Sequence, residues 1–199
     1  MSRLPLLNVF FTPLFMHAKT LPLLYNQQLK IMEPKLKLNK IVTSLWFDRN
    51  AEEAVSFYRS VFKNFKEGRR LYYLKEGQEI HGMPEGTLLT VEFEIEEQQF
   101  IGLNGGDMFK FNEAVSFMVN CETQEEVDYY WEKLTEGGDP NAQQCGWCKD
   151  KFGVSWQVVP TILDDMIADA DKEKAGRVMN AMLEMKKLDI AKLEEAFRG

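Results

Sequence analysis

One structural pattern occurs twice along this chain: a strand, an amphipathic helix and then further strands. Residues 38–48 are rich in β-branched and aromatic side chains and predict a strand, and residues 50–63 predict a helix with Asn50 as its N-cap. Residues 114–121 and 123–136 repeat this order. An internal duplication explains the repeat better than a chance likeness between two helices.

Five more segments have the composition or the alternation of strands, and the C-terminal part has the pattern of helices. The predicted strands are residues 69–74, 87–97, 99–103, 143–150 and 154–160. Residues 162–197 predict a helical tail in which methionines recur at about helical spacing. This tail could cap a cavity, pack against a partner subunit or form ordinary core.

The composition excludes several classes of protein. The chain has 199 residues, of which 31 are acidic and 24 basic, and a net charge of −7. An acidic chain without a long basic run is a poor candidate for binding nucleic acid or an anionic membrane. No stretch has the roughly 20 apolar residues of a membrane-spanning helix, and 3 cysteines are few for a disulfide scaffold. We therefore expect a cytoplasmic globular protein.

The N-terminal segment differs from the rest. Residues 1–31 contain no acidic side chain and three basic ones, and prolines interrupt any helix there. We expect residues 1–37 to be a disordered extension, with Met32 as a second possible start. A secretory signal is the alternative, although its apolar run contains prolines and no cleavage site follows.

Several long segments in order resemble one known family. LWFDRNAEEAVSFYRSVF, LTVEFEIEEQQFIGLNGG, FKFNEAVSFMV, QCGWCKDKFGVSWQVVP and MKKLDI are similar to the PhnB-like branch of the vicinal oxygen chelate superfamily. That superfamily includes glyoxalase I, bleomycin-resistance protein and extradiol dioxygenases, and this branch is often labelled demethylubiquinone methyltransferase-like.

The resemblance implies an α+β fold of two glyoxalase-type βαβββ modules, whose curled mixed sheets surround a cavity, and a homodimer. On this basis residues 38–199 form one domain, with modules 38–107 and 108–160 and a helical tail, 161–199. The strands that we predict from the residues are one fewer in the second module, and we expect the helical tail to stand where that strand would be.

The resemblance also locates a metal site in the metal-dependent members of the superfamily. It places Thr43, Gly102, Val115 and Gln157 at the four ligand positions. Glycine and valine side chains have no lone pair, and a neutral carboxamide is a weak ligand. The chain has only 2 histidines. We therefore expect no metal ion and no other cofactor.

Two other short motifs invite a functional interpretation that we do not favour. Asn104-Gly105-Gly106 and Gly137-Gly138 lack the strand–turn–helix context of a nucleotide cofactor site and are typical of turns. In Cys145-Gly146-Trp147-Cys148 a strand would point the two sulfurs to opposite faces, which argues against a disulfide or a redox pair.

Strand alternation then suggests which side chains face the cavity. We expect Thr43, Leu45, Phe47, Phe100, Asn104, Phe117 and Gln157 to line a ligand pocket. Val115 would share their face. The opposite set would pack beneath the helices and comprises Trp46, Ile101, Leu103, Met118, Trp156 and Val158. The alternative is that the aromatic side chains fill the core and leave no pocket.

Charged residues offer weaker candidates. Glu92, Glu94 and Glu96 share one strand face, where mutual repulsion could raise a carboxylate pKa for general-base catalysis, although a solvated row is the simpler interpretation. Lys149, Asp150 and Lys151 have the pattern of turn charges in the last hairpin.

The sequence thus favours a metal-independent small-molecule-binding protein of the glyoxalase/bleomycin-resistance type, with a small apolar or aromatic ligand. The alternative is an enzyme of the superfamily, such as a lyase, an isomerase or a dioxygenase. A protein with a filled core that acts only through dimer contacts is a third possibility. Whether the chain catalyses a reaction stays open at this point.

Overall fold

The structure, a computed structural model, describes residues 36–199, so the predicted extension lies almost wholly outside the described residues. Seven strands occur in this part of the chain. They are β1 (Thr43–Phe47), β2 (Phe65–Tyr72), β3 (Leu88–Ile95), β4 (Gln98–Asn104), β5 (Phe117–Cys121), β6 (Trp147–Lys149) and β7 (Ser155–Pro160).

Helices follow the first strand of each module and form the tail. They are α1 (Ala51–Val61), a single turn α2 (Gln78–His81), α3 (Gln124–Thr135), α4 (Ile162–Ala168), α5 (Lys172–Leu183) and α6 (Ile190–Arg198). No helix among residues 36–199 is both long enough and apolar enough to cross a bilayer.

The strands form two mixed sheets. The first has the order β1-β4-β3-β2 and the second the order β5-β7-β6. In each sheet the first strand of the module pairs in parallel with the last, and the other pairs are antiparallel. The first module therefore has four strands and the second three, which confirms the strand count predicted from the residues.

Helix α1 lies between the two sheets. The side chains of its predicted apolar stripe, Ala54, Tyr58 and Val61, are at most 1% exposed. The Tyr58 ring is 6.0 Å from Phe93 of the first sheet and 5.7 Å from Trp156 of the second. The two modules thus share one core, built on the helix-facing sides of both sheets.

The start of α1 depends on a residue from a distant strand. Asn50 occupies the N-cap position, as predicted, but its side chain makes no capping hydrogen bond. Instead Asn104 Oδ1 accepts a hydrogen bond from Ala51 N at 2.9 Å, and Asn104 Nδ2 donates to Leu88 O at 3.1 Å. Because β4 runs parallel to β1, its end lies where the helix begins. Asn104 is therefore a buried cap.

The predicted sheet faces are wrong for the first module. Leu45, Phe47 and Phe100 belong to the core shared with α1, and a side chain at Gly102 would come within 3.4 Å of Ala51 Cβ. The residues expected beneath the helix are partly exposed on the other face of the sheet: Trp46, Ile101 and Leu103. Alternation fixes which residues share a face, but the helix decides which face is covered.

In the second module the prediction is partly confirmed. Trp156 and Val158 are buried in the shared core, as expected. Phe117 pairs with Trp156 and lies on that same face, whereas Met118 pairs with Gln157 and is 52% exposed. Phe117 and Met118 are therefore exchanged relative to the expected faces.

The predicted tail is three helices with a small core of their own. That core is formed by Val159, Leu163, Met166, Val178, Leu188 and Leu193, with Met182 and Met185 packed against it. Asp171 and Asp189 cap α5 and α6 through their carboxylates. Backbone hydrogen bonds of 2.8 Å from Cys145 N to Met185 O and from Gly146 N to Lys186 O join the tail to the segment before β6.

Candidate functional site

A groove of about 840 Å³ lies between the two modules. Its walls come from the start of β1, the end of α1, the β3–β4 turn, strand β5 and helix α3. All of residues 116–120 line it, so one wall of the groove is the strand at the edge of the second sheet. A concave site of this size suits a small organic molecule.

A continuous chain of aromatic rings forms the apolar part of the groove. Ring centroids are separated by 5.5 Å between Tyr130 and Phe62, 5.4 Å between Phe62 and Trp156, 5.4 Å between Trp156 and Phe117, and 5.1 Å between Phe117 and Phe100. Phe62, Phe100 and Trp156 are at most 4% exposed and form the floor, while Phe117 and Tyr130 are partly exposed. The latter two offer ring surface to a flat ligand.

Charged side chains lie at the rim. Glu96 is in the β3–β4 turn, where its Oε1 accepts a hydrogen bond from Asn64 N at 3.3 Å. Glu126 is in the first turn of α3, where its Oε2 accepts from Glu122 N at 2.8 Å. Burial, together with the charges of Glu96, Cys121 and Glu126, raises the pKa of Tyr130. Lys63 is the cationic member of the lining.

The structure brings three of the seven predicted pocket residues together and separates the other four. Thr43, Phe100 and Phe117 line the groove. Leu45 and Phe47 are core, and Asn104 is the cap of α1. Gln157 lies on the face of the second sheet that is turned away from the core, where its Nε2 donates to Ser116 Oγ at 2.8 Å.

The sequence missed the helical side of the groove. Helical spacing predicts that Phe62 and Tyr130 lie on the apolar sides of the helices at residues 50–63 and 123–136, and alternation predicts Trp156 on the covered sheet face. Trp156 and Tyr130 agree with this, and Phe62 follows the last residue of α1. Spacing along a helix cannot distinguish a ring that is buried in the core from a ring at the edge of a groove. The difference between them depends on where the other module lies.

The four positions implied for metal ligands do not converge on one point. Gly102 faces α1, whereas Val115 precedes β5 and is 67% exposed. Within residues 36–199 no group of three or more His, Cys, Asp or Glu side chains is placed to hold a metal ion. The residues therefore do not fit the metal that the superfamily implies.

Two glutamates of the predicted row, Glu92 and Glu94, are buried rather than solvated, whereas Glu96 is exposed in the β3–β4 turn. Glu92 and Glu94 are 3% and 9% exposed. Arg69 Nη2 lies 3.0 Å from Glu92 Oε1, and Lys66 Nζ lies 2.5 Å from Glu94 Oε1. The hydrogen bond and charge of Lys66 lower the pKa of Glu94, which is the wrong direction for a general base at neutral pH.

Asp150 is a buried carboxylate that joins the two modules, so its assignment as a turn charge is wrong. Its Oδ2 accepts from Tyr58 Oη at 2.8 Å and from Trp156 Nε1 at 2.9 Å. Its Oδ1 accepts from the backbone N of Phe152 and Val154 at 2.9 and 3.0 Å. Burial raises the pKa of Asp150 and, with the nearby carboxylate, that of Tyr58. Since Trp156 is also in the groove floor, this network supports the groove from beneath.

The three cysteines are free, and two of them are buried. Burial raises the pKa of both Cys121 and Cys148 to about 12, whereas Cys145 is partly exposed in the turn before β6, where its φ is 53°. We expect Ellman titration at pH 8 to label about one thiol in the native protein and about three after denaturation. Cys145→Ser should abolish the native reaction, and fast labelling that survives this substitution would contradict the assignment.

Comparisons with known proteins agree with the resemblance. The model of the 3-demethylubiquinone-9 3-methyltransferase family matches residues 39–159. The chain belongs to this family. It is thus a PhnB-like member of the vicinal oxygen chelate superfamily, and its helical tail lies outside the matched region. No curated protein matches the chain.

A solved structure with 34% sequence identity supports the assignment of the fold. A putative 3-demethylubiquinone-9 3-methyltransferase, the PhnB protein from Bacillus cereus, is 34% identical over 62% of this chain and 100% of its own, with a TM-score of 0.52. A protein from Staphylococcus aureus is 25% identical over 62% of this chain and 97% of its own, with a TM-score of 0.28. The fosfomycin resistance protein FosX from Listeria monocytogenes is 15% identical over 65% of this chain and 98% of its own, with a TM-score of 0.43.

Proposed function

We propose that this PhnB-like protein binds a small aromatic molecule in the groove between its modules and does so without a metal ion. The observation that carries the proposal is the chain of five aromatic rings along a cavity of about 840 Å³. Partly exposed rings beside hydrogen-bonding groups at the rim are the lining expected for an organic ligand. The ligand would be held by shape, ring contacts and a few hydrogen bonds.

The finer features of the fold are part of the same proposal. We expect two copies of the chain to associate as a cytoplasmic homodimer, with the sheets curled around the ligand cavity, as the resemblance implies. The partly exposed sheet residues Trp46, Ile101 and Leu103 support this expectation, because apolar groups on an open sheet face gain stability when a second surface covers them.

The name of the family suggests methyl transfer, and the local geometry favours binding instead. Gly105-Gly106 follows β4, which ends at Asn104, and the next regular element is another strand, β5. Gly137 has a φ of 72° just after α3, where glycine commonly ends a helix. Neither glycine pair precedes a helix N-terminus of the kind that cradles a nucleotide cofactor.

The proposal is tested with a neutral aromatic probe, 1-naphthalenemethanol. At a concentration one hundred times its Kd, the probe should stabilise the full chain by about 2.7 kcal/mol in thermal unfolding. The stabilisation should be the same with and without EDTA, because no ion takes part.

Matched variants locate the site. Phe117→Leu and Tyr130→Leu should each weaken the binding of the probe by about fivefold or more, since the aromatic contact is lost. Tyr72→Leu removes a ring that is 44% exposed outside the groove and should leave binding unchanged. Loss of binding on chelation, or equal effects of all three substitutions, would contradict the proposal.

A further inference from the structure

The groove combines ring faces with carboxylates on two of its walls. Glu96 approaches from the β3–β4 turn of the first module and Glu126 from α3 of the second, and Phe117 and Tyr130 are the partly exposed rings between them. The faces of aromatic rings are electron-rich and attract cations as well as other rings. Ring faces and carboxylates therefore both favour a positive charge on a ligand.

We infer that the groove selects a flat organic cation, such as an aromatic ammonium compound, over neutral and anionic molecules of the same shape. This inference rests on the proposed function and specifies the class of ligand. The ring system would lie against Phe117 and Tyr130, and the cationic group would lie between the carboxylates of Glu96 and Glu126.

The charges around Tyr130 give independent support. The pKa of its phenol is raised first by burial and then by Glu96, Cys121 and Glu126, so both carboxylates act electrostatically on the same point inside the groove. Lys63 opposes them, and all three charged side chains are exposed and screened by water. The lining of the groove holds two carboxylates and one ammonium group, so it carries a net negative charge.

Both carboxylates already have structural roles that fix their positions. Glu96 accepts from Asn64 N, and Glu126 accepts from Glu122 N while Thr123 caps the same helix turn. Each carboxylate has lone pairs beyond the one that it uses in these contacts. These hydrogen bonds restrain both carboxylates and so reduce the entropy that is lost when a ligand binds.

The experiment compares three probes that share a naphthalene ring: 1-naphthylmethylammonium, 1-naphthalenemethanol and 1-naphthoate. Isothermal titration of the full chain should give about tenfold tighter binding for the cation than for the alcohol, and weaker binding for the anion than for either. The affinity of the cation should fall as salt is raised from 20 to 300 mM, whereas that of the alcohol should change little.

Substitutions assign the effect to the two carboxylates. Glu96→Gln and Glu126→Gln should each weaken binding of the cation about threefold to tenfold and leave binding of the alcohol unchanged. At position 126, glutamine retains the capping geometry of the α3 turn. Lys63→Met should strengthen binding of the cation. Glu132→Gln removes an exposed carboxylate on the same helix outside the groove and should have no effect.

The outcomes separate the two proposals. Equal affinities for the cation and the alcohol, or equal effects of Glu126→Gln and Glu132→Gln, would overturn the charge selectivity while leaving the binding site intact. Failure of all three probes to bind would overturn the proposed function itself.

Discussion

Replacing Asp150 with alanine should destabilise the protein by about 3–5 kcal/mol, because two side-chain donors and two backbone donors lose their acceptor in the core. Asp150 is 2% exposed and accepts from Tyr58, Trp156 and the turn before β7. Urea denaturation followed by circular dichroism measures the loss. Tyr58→Phe removes one donor and should cost about 1 kcal/mol.

Asp107→Ala is the matched control, since Asp107 is exposed in the loop after β4. We expect it to change stability by less than about 0.5 kcal/mol. A loss below about 1 kcal/mol for Asp150→Ala would contradict the role of Asp150 as the acceptor that joins the modules.

The same carboxylate should give a characteristic pH dependence. Burial raises the native pKa of Asp150 above its unfolded value of 3.8. The native state therefore keeps the proton over a pH range in which the unfolded chain has lost it. This contribution to stability is complete below pH 3.8 and is lost as the pH rises through the native pKa. Asp150→Asn should remove this slope.

Replacing Leu188 with alanine should cost about 2–5 kcal/mol, the second large effect that we expect. Leu188 is 0% exposed in the tail core, and its side chain lies against Gly146, before β6. The substitution would leave a cavity where the tail meets the second module. Leu183→Ala, at a position 53% exposed in α5, should change the free energy of unfolding by less than about 0.5 kcal/mol.

We also expect the tail and the two modules to unfold in a single transition, because the core of α4–α6 includes Val159 of β7. Near-ultraviolet circular dichroism reports the aromatic core, and far-ultraviolet circular dichroism reports the helices. If Leu188→Ala melted the helices alone and left the aromatic signal intact, the tail would be an independent unit.

The elements could be predicted from the sequence because each depends on neighbouring residues. The stripe of Ala54, Tyr58 and Val61 indicates α1, and the alternation of residues 87–97 indicates β3, whatever lies elsewhere in the chain. The sequence could not predict which face of the first sheet is covered, because alternation defines two faces without distinguishing them. In the structure, the contact of Gly102 with α1 identifies the covered face.

The candidate site depends on partners that are far apart in sequence. Asn104 and Ala51 are 53 positions apart, and Asp150 and Tyr58 are 92 apart. No local pattern distinguishes Asp150 from the lysines on either side of it. Phe100 and Phe117 line the groove although both lie on the covered faces of their sheets, whereas Phe62 and Tyr130 required the position of one module against the other.

The position of α1 between both sheets bears on how such a chain arose. If the two modules descend from one duplicated unit, a single unit would have carried the same wide apolar helix with only one sheet to cover it. The ancestral polypeptide must then have paired with an identical copy, and gene fusion would have made that pairing permanent. Either half of the present protein, produced alone, should therefore aggregate or self-associate.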